Sequence, residues 1–345
     1  MNRRRDIDWM RGIAVLCMIE HHTFDAFLRA DIHGSSADRI FRYIGGLAAP
    51  GFLFLAGLAM ALALEKQAVK GVPIRQAALG GARRGAWIIA GAYLFRIQEW
   101  ALAFGGSPAS EILRIDVLNC IGVALVFVSL LFWLSRGLLT FLAAAAAVIL
   151  LTPVINAADL SFLPSHLADY LNGRQPHTLF ALFPWIAHAF TGAAAGLALA
   201  RTCSEVRTVA LFAGLAFAAW LLPQPAVWSD AAPAVSLLRD GLAVGLLSAC
   251  WLADRFIPKR FAGGPLLLLG RHSLLIYWVH IEIVYGRWFW RTRGTLGLAQ
   301  GTAALALVLI TMYALAMLVE LLQAAKRKRA AQARDTGFGA AGALK

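Results

Sequence analysis

The sequence predicts an all-α fold, a polytopic bundle of transmembrane helices. Three observations lead to this prediction: 60% of the 345 residues are hydrophobic, only 15% are charged, and the mean hydropathy is +0.68. Soluble domains average about 25% charged residues, so a soluble protein is excluded. Apolar runs also recur along the chain at about the 20-residue length needed to cross a bilayer core of ~30 Å.

These runs define about ten spans, with a range of nine to eleven, because two runs are short and one begins with a charged pair. The predicted spans lie near residues 9–29, 43–64, 85–104, 117–135, 138–155, 178–200, 208–223, 236–253, 265–285 and 298–322. Placing the N-terminus in the cytoplasm assigns 20 lysines and arginines to the inside and 8 to the outside, in agreement with the positive-inside rule. An even number of spans then puts both termini in the cytoplasm.

The chain is predicted to form one membrane domain, residues 1–325, followed by a basic, disordered cytoplasmic tail, residues 326–345. The tail begins with KRKR and continues with small residues, a composition typical of a disordered segment beside a lipid surface. The net charge of +13 does not indicate nucleic acid, because the basic residues are dispersed among loops. Membrane lipid is the expected partner, and no nucleic acid is expected.

The first span is unusual because it contains ionisable residues, which are costly inside a membrane and often mark a functional site. At about 100° per residue, Arg11, His22, Asp25 and Arg29 fall within roughly 60° of one another, whereas Glu20 points to the opposite side. This charged stripe predicts either a polar pathway that faces the bundle interior or a set of salt bridges between helices.

Other spans carry ionisable or polar residues at a similar depth, toward the outer side of the membrane. They are Arg96 and Glu99 in the third span, His188 in the sixth, and His280 and Glu282 in the ninth, with Asp116 and Asn119 at the outer end of the fourth. The spacing of Arg96 and Glu99 allows them to pair with each other. A single buried histidine is usually structural, but several at one depth favour a site for proton transfer near neutral pH.

Two further predictions concern the inner side and metals. Arg11 and Arg271 lie near the cytoplasmic surface, where they either bind phosphate or extend to lipid headgroups. The four cysteines are scattered without C-x-x-C spacing, so neither a disulfide framework nor a metal site is predicted.

Several segments resemble one known family. DIDWMRGIAVLCMIEHH resembles the Asp-x-x-Arg-Gly-x-Ala opening of the heparan-α-glucosaminide N-acetyltransferase catalytic-domain family. PGFLFLAGLAMAL, RIDVLNCIG, FPWIAHAFTGAAAG and LLGRHSLLIYWVH are similar to later segments of that family, in the same order. The resemblance implies a multi-pass enzyme of the bacterial inner membrane that transfers an acetyl group from cytoplasmic acetyl-CoA to a sugar on the far side. It also implies a homodimer, by family analogy alone.

In the animal enzyme, the outer end of the first catalytic-domain span has an asparagine and, eleven residues later, a catalytic histidine. Those positions correspond here to His22 and His33, so His33 matches the catalytic histidine and His22 departs from asparagine. Either residue is a candidate for the base that takes the acceptor's proton. Asp25, three residues after His22, is a candidate to orient it.

The predicted catalytic set is His22, His33, Asp25, Asn119 and His280. The predicted donor-binding set is Arg11, Arg96, Arg271, His272 and Ser273.

The histidine acts either as a general base in direct transfer or as an acetyl carrier in two steps. A proton-coupled transporter or exporter of a sugar-like solute is the alternative function, because histidine and carboxylate chains in membranes also serve as proton relays. A non-catalytic scaffold or sensor with the same fold is a third interpretation.

Overall fold

The computed structural model describes residues 4–103, 106–173, 178, 180–222, 232–258 and 264–342, with side chains described as far as Lys328. A few residues of the predicted spans and tail, such as 104, 179, 223 and 343–345, lie outside these ranges. The described helices are α1 (Arg5–Phe27), α2 (Ser36–Gly45), α3 (Ala48–Val69), α4 (Ile74–Leu102), α5 (Val117–Leu134), α6 (Leu138–Ala157), α7 (Ser165–Asn172), α8 (Leu182–Arg201), α9 (Glu205–Trp220), α10 (Pro233–Phe256), α11 (Pro265–Arg271), α12 (Ser273–Tyr285) and α13 (Leu298–Gly342).

The all-helical prediction is confirmed. Short 3₁₀ helices cover Ala109–Leu113 and Arg287–Thr292. Within the described ranges there is no β-strand, although two isolated bridges join loops, Leu28 with Leu296 and Ile115 with Thr178.

Six helical segments are long and apolar enough to cross a membrane. They are Ser36–Val69, which combines α2 and α3, Val117–Leu134, Leu138–Ala157, Leu182–Arg201, Pro233–Phe256 and Leu298–Lys328. Helices α11 and α12 provide a seventh if they count as one span, bent by 89°. Helices α1 and α4 overlap predicted spans but contain ionisable residues, and α9 has only 16 residues. Ten spans and two cytoplasmic termini therefore stay predictions.

Glycines allow the helix backbones at the centre of the bundle to approach closely. Helices α3 and α8 are in close backbone contact at two glycines. Gly57 packs against the carbonyl of Ala189, and Gly192 packs against the carbonyl of Phe54. A Cβ atom at either glycine would overlap backbone atoms rather than a movable side chain. Small residues make such contacts common between membrane helices. The interface between α3 and α8 therefore depends on these glycines.

A second close contact holds α1 against α11. Gly12 lies on the carbonyl of Leu266, and Gly270 lies on the carbonyl of Asp8. This crossing fixes the N-terminal half of α1, so the rest of α1 extends to the opposite end of the bundle. His22, which is ten residues beyond Gly12, therefore lies ~15 Å further along the helix axis.

An ion-pair cluster around the buried Glu65 joins α3, α8 and the loop between α5 and α6, at the end of the bundle where α3 and α8 end. Glu65 of α3 accepts two hydrogen bonds from Arg201, of 2.9 and 2.7 Å, and one of 2.8 Å from Arg136. Glu65 is 5% exposed, and a buried carboxylate needs such partners. Helix α13 extends into residues 326–342, part of the segment predicted to be a disordered tail. The disorder of that segment stays a prediction.

Candidate active site

A cavity of about 1040 Å³ opens between the C-terminal parts of α1, α4 and α12 and the N-terminal parts of α3 and α5. Ligand sites in proteins usually measure about 300–1,000 Å³, so this cavity is large enough for a substantial ligand. Ionisable residues of four helical segments meet there: His22 and Asp25, Arg96 and Glu99, Asp116, and Glu282. These six residues therefore line one cavity, and their common depth in a membrane stays a prediction.

Two histidines from distant parts of the chain are hydrogen-bonded at the cavity wall. His22 Nδ1 lies 2.9 Å from His280 Nε2, and the two rings are nearly parallel, at 12°. His22 lines the cavity, whereas His280 is fully buried behind it. The pair therefore joins α1 to α12 at the surface a ligand would contact.

The hydrogen bonds determine which nitrogens carry protons in the neutral pair. His280 Nδ1 lies 2.7 Å from the carbonyl oxygen of Ile276, and a carbonyl oxygen only accepts. His280 Nδ1 must therefore carry the hydrogen, which leaves Nε2 as an acceptor. His22 Nδ1 then donates to His280 Nε2, so His22 Nε2 holds a free lone pair. A neutral histidine that faces a cavity with a free nitrogen can act as a base or as a nucleophile.

Asp25 does not have the role that its spacing from His22 suggested. Its carboxylate accepts a 2.8 Å hydrogen bond from the Tyr285 hydroxyl, and His280 is the residue that orients His22. Tyr285 also packs edge-on against the His22 ring, with 5.6 Å between ring centroids. Sequence reasoning did not select Tyr285, although a polar aromatic residue five positions after His280 at the end of an apolar helix was a usable signal.

Asn119 and Asp116 begin helix α5. The Asp116 carboxylate accepts hydrogen bonds from the backbone amides of Leu118 and Asn119, and the Asn119 side chain accepts one from the Asp116 amide. This reciprocal capping arrangement fixes the helix start. Asn119 is fully buried and does not line the cavity, whereas Asp116 does. Burial raises the pKa of the Asp116 carboxyl, and the Arg96 guanidinium opposes that shift.

Arg96 and Glu99 pair as their spacing predicted, at 2.6 Å. Arg96 also lies 3.5 Å from Asp116, so it bridges α4 and the start of α5. Glu282 of α12 accepts a 2.9 Å hydrogen bond from Gln98, whose oxygen accepts one from Trp278. Hydrogen bonds and ion pairs thus tie the cavity wall together across three helices.

His33 lies in the segment between α1 and α2 and is not among the residues that line the cavity. Its Nδ1 lies 3.2 Å from the Asp38 carboxylate and 3.1 Å from an Arg42 nitrogen. Asp38 also accepts a 2.7 Å hydrogen bond from Arg42. His33 is therefore held by α2 and is separate from the paired histidines.

The predicted donor-binding residues occupy two places. Arg11 and Arg271 adjoin Gly12 and Gly270, the glycines of the close contact between α1 and α11. Arg11 pairs with Asp8 at 3.1 Å, and Arg271 pairs with Glu320 at 2.9 Å. His272 lies 3.4 Å from the same Glu320, and Ser273 follows it at the start of α12. Arg96, by contrast, lines the cavity, so the structure does not bring all five residues together. Among the described residues, no group of three or more His, Cys, Asp or Glu is arranged to hold a metal ion.

Comparison with known proteins identifies a family. The family model "Heparan-alpha-glucosaminide N-acetyltransferase, catalytic" matches residues 3–223. The match covers α1 to α9, including His22 and His33, and ends before His280. A search of curated proteins finds no match. Since the matched region is well over half of the chain, the protein belongs to the heparan-alpha-glucosaminide N-acetyltransferase catalytic family, as its sequence motifs predicted.

Proposed function

We propose that the protein transfers an acetyl group from acetyl-CoA to a saccharide acceptor, with His22 as the histidine that performs the chemistry. The family supports an N-acetyltransferase, and the apolar helices support a membrane protein. One observation supports the role of His22: its Nδ1 donates to His280, so the free lone pair is on Nε2 of a residue that lines the large cavity.

In direct transfer, His22 Nε2 takes a proton from the acceptor amine or hydroxyl as that group attacks the thioester carbonyl. The new N–C or O–C bond forms, and the C–S bond breaks. The protonated His22 then gives its proton to the departing thiolate. The positive charge on His22 strengthens the hydrogen bond to His280, because a charged donor binds an acceptor more strongly than a neutral one.

In the two-step route, His22 Nε2 attacks the thioester itself and forms an acetyl-imidazole. The acceptor then takes the acetyl group from His22. The same free lone pair serves both routes. Rapid quenching with radiolabelled acetyl-CoA and no acceptor separates them, because only the two-step route leaves label on the protein, and His22→Ala removes that label.

We place the phosphate groups of the donor at the inner end, near Arg11, Arg271, His272 and Ser273. Guanidinium groups suit phosphate because they donate paired hydrogen bonds. Arg11 lies eleven residues before His22, ~16 Å along α1, so an elongated thioester that binds at both ends follows this helix. Arg96 lines the cavity and is proposed to contact the reacting end of the donor.

The remaining proposals concern the cellular setting. The protein is a multi-pass protein of the inner membrane with about ten spans and both termini in the cytoplasm, in contact with lipid and as a homodimer. The donor comes from the cytoplasm, and the saccharide acceptor lies in the periplasm or envelope.

The first test is binding of acetyl-CoA to the detergent-purified protein, measured by thermal shift with coenzyme A and ATP as controls. A ligand at 100 times its Kd stabilises the folded state by ~2.7 kcal/mol, so a clear rise in Tm is expected. Arg11→Ala and Arg271→Ala should weaken the shift, and Arg75→Ala on the exposed start of α4 should not.

Release of coenzyme A thiol with glucosamine as the acceptor is measured on the same preparation. Thiol release that requires glucosamine supports the acetyltransferase. No shift and no thiol release at millimolar acetyl-CoA, in protein shown to be folded, would contradict it. Proton-driven uptake of a sugar into vesicles would then support the transporter instead.

A further inference from the structure

A second histidine–carboxylate pair lies inside the bundle, between α8 and α10. His188 Nδ1 is 2.7 Å from one oxygen of Asp240, and the Thr191 hydroxyl donates a 2.8 Å hydrogen bond to the other oxygen. His188 is fully buried and Asp240 is 7% exposed. The chemistry proposed at His22 does not use this pair.

Two polar atoms beside this pair have no partner among the described residues. His188 Nε2 and Ser236 Oγ are both buried without a hydrogen bond. Ser236 is four residues before Asp240, on the same face of α10. Buried polar atoms are normally satisfied, so each of these two unsatisfied atoms requires an explanation. A purely structural hydrogen bond between α8 and α10 requires only His188 Nδ1. It does not explain why His188 Nε2 is buried without a partner.

Charge gives that explanation. With His188 neutral, the pair has a net charge of −1 because Asp240 accepts hydrogen bonds with both oxygens. A proton on His188 Nε2 brings the pair to net zero, which suits a buried site better than an uncompensated carboxylate. It also supplies an N–H donor where the neutral ring has a lone pair.

The pair lies directly behind the cavity wall. Trp185, one turn before His188, lines the cavity, and its ring meets the His188 ring edge-on at 5.9 Å between centroids. Arg239, which precedes Asp240, also lines the cavity and lies 5.3 Å over the Trp185 ring. One layer of side chains thus separates His188 from the cavity.

Of the ionisable residues on neighbouring elements, Asp240 is the one bonded to His188. On α3, Glu65 is bound by Arg136 and by Arg201, which is thirteen residues after His188 and thus ~20 Å along α8. Helix α6 contains no ionisable residue. The others are Lys66 on α3, Cys120 on α5, His166, Asp169 and Tyr170 on α7, Glu205 and Arg207 on α9, and Arg239, Cys250, Asp254 and Arg255 on α10.

We propose that His188 and Asp240 form a proton-accepting site that serves acetyl transfer in the adjacent cavity. This inference rests on the proposed function. Acetylation of an ammonium group forms an N–C bond, breaks the C–S bond of the thioester and removes two protons from nitrogen. The coenzyme A thiolate takes one proton, and His188 Nε2 takes the other.

The test compares wild type with His188→Gln, using glucosamine as the acceptor across a range of pH. Glutamine can still donate to Asp240 but cannot take a proton. Below the pKa of the glucosamine amine, where the amine is an ammonium ion, we expect the variant's kcat to be at least ~10-fold lower than that of wild type. Its KM should stay within about twofold of the wild-type value. Above that pKa the difference in kcat between the variant and wild type should disappear, because a neutral amine releases only one proton and the thiolate takes it.

His166→Gln on α7 is the matched control, because it makes the same substitution at a histidine outside the pair and away from the cavity, so its pH profile should follow wild type. Asp240→Asn is the second variant if His188→Gln does not fold; it removes the carboxylate charge that favours a proton on His188 and should show the same pH-dependent loss of kcat. A deficit of equal size at every pH, or no deficit, would overturn the proposal.

A measurement without turnover separates this proposal from the proposed function. Hydrogen–deuterium exchange at the ring carbon of each histidine, followed by mass spectrometry, reports whether that ring gains and loses a proton with pH. We expect a sigmoidal profile for His188 in the wild-type protein. A flat profile overturns the proton site, whereas a sigmoidal profile in a protein without acetyl transfer overturns only the proposed function.

Discussion

Substitution of His280 by alanine tests whether the two histidines at the cavity act as one unit. His280 touches no ligand in the proposed reaction, since it is fully buried behind His22. Its role is to accept the 2.9 Å hydrogen bond from His22 Nδ1. Removing it leaves that N–H without its acceptor at the moment when His22 becomes positively charged.

The size of the effect follows from that one bond. A hydrogen bond to a charged group contributes about 1.5–3 kcal/mol, which corresponds to a loss in kcat/KM of roughly 10- to 150-fold. His22→Ala removes the proton acceptor itself and should cost roughly 10²- to 10⁴-fold. The double variant should be no worse than His22→Ala alone, because residues that act as a unit are not additive.

The assay is release of coenzyme A thiol from acetyl-CoA with glucosamine, together with the Tm of each variant. His166→Ala on α7 is the matched control, a histidine substitution away from the cavity, and it should match wild type. His33→Ala should cost less than His22→Ala, since His33 does not line the cavity. Multiplicative losses in the double variant, or a larger loss in His33→Ala than in His22→Ala, would refute the reasoning.

Two further predictions concern stability, measured by thermal unfolding in detergent. Gly192→Ala should lower the free energy of unfolding by about 1–3 kcal/mol, because the new Cβ meets the backbone of Phe54. Gly214→Ala is the control in α9, where a Cβ has open space, and it should leave the free energy of unfolding unchanged or raise it. Glu65→Gln should destabilise the protein, though by less than the ~3–5 kcal/mol of a fully buried pair, because its arginine partners are more than a third exposed. Glu111→Gln breaks an exposed pair and should cost about 0–1 kcal/mol; equal effects of the two would contradict this account.

The fold class was predictable because lipid imposes strong rules on composition and length. Apolar windows located the helices, and the i, i+3 spacing of Arg96 and Glu99 predicted their ion pair. The bend of 89° between α11 and α12 was not predicted, since residues 265–285 form one apolar run. Helix α4 extends eleven residues further toward the N-terminus than its predicted span, because hydropathy does not detect a helix that continues beyond the apolar stretch.

The site was predictable in part. Depth alone placed His22 and His280 at one level, but depth does not give the direction in which a helix face points. The choice of partner for His22 therefore required the packing of α12 against α1. By spacing, Asp25 was a reasonable partner for His22, yet the Asp25 carboxylate accepts a hydrogen bond from the Tyr285 hydroxyl instead. Sequence proximity shows which residues can meet and does not show which compete for the same group.

The bond between His22 and His280 joins residues 258 positions apart. During synthesis α1 leaves the ribosome early and α12 late, so the proposed base is incomplete for most of translation. A nascent chain that has inserted α1 to α9 contains the whole region matched by the family, yet it lacks the acceptor that orients His22. The proposed activity would thus arise only after nearly the entire chain has been made.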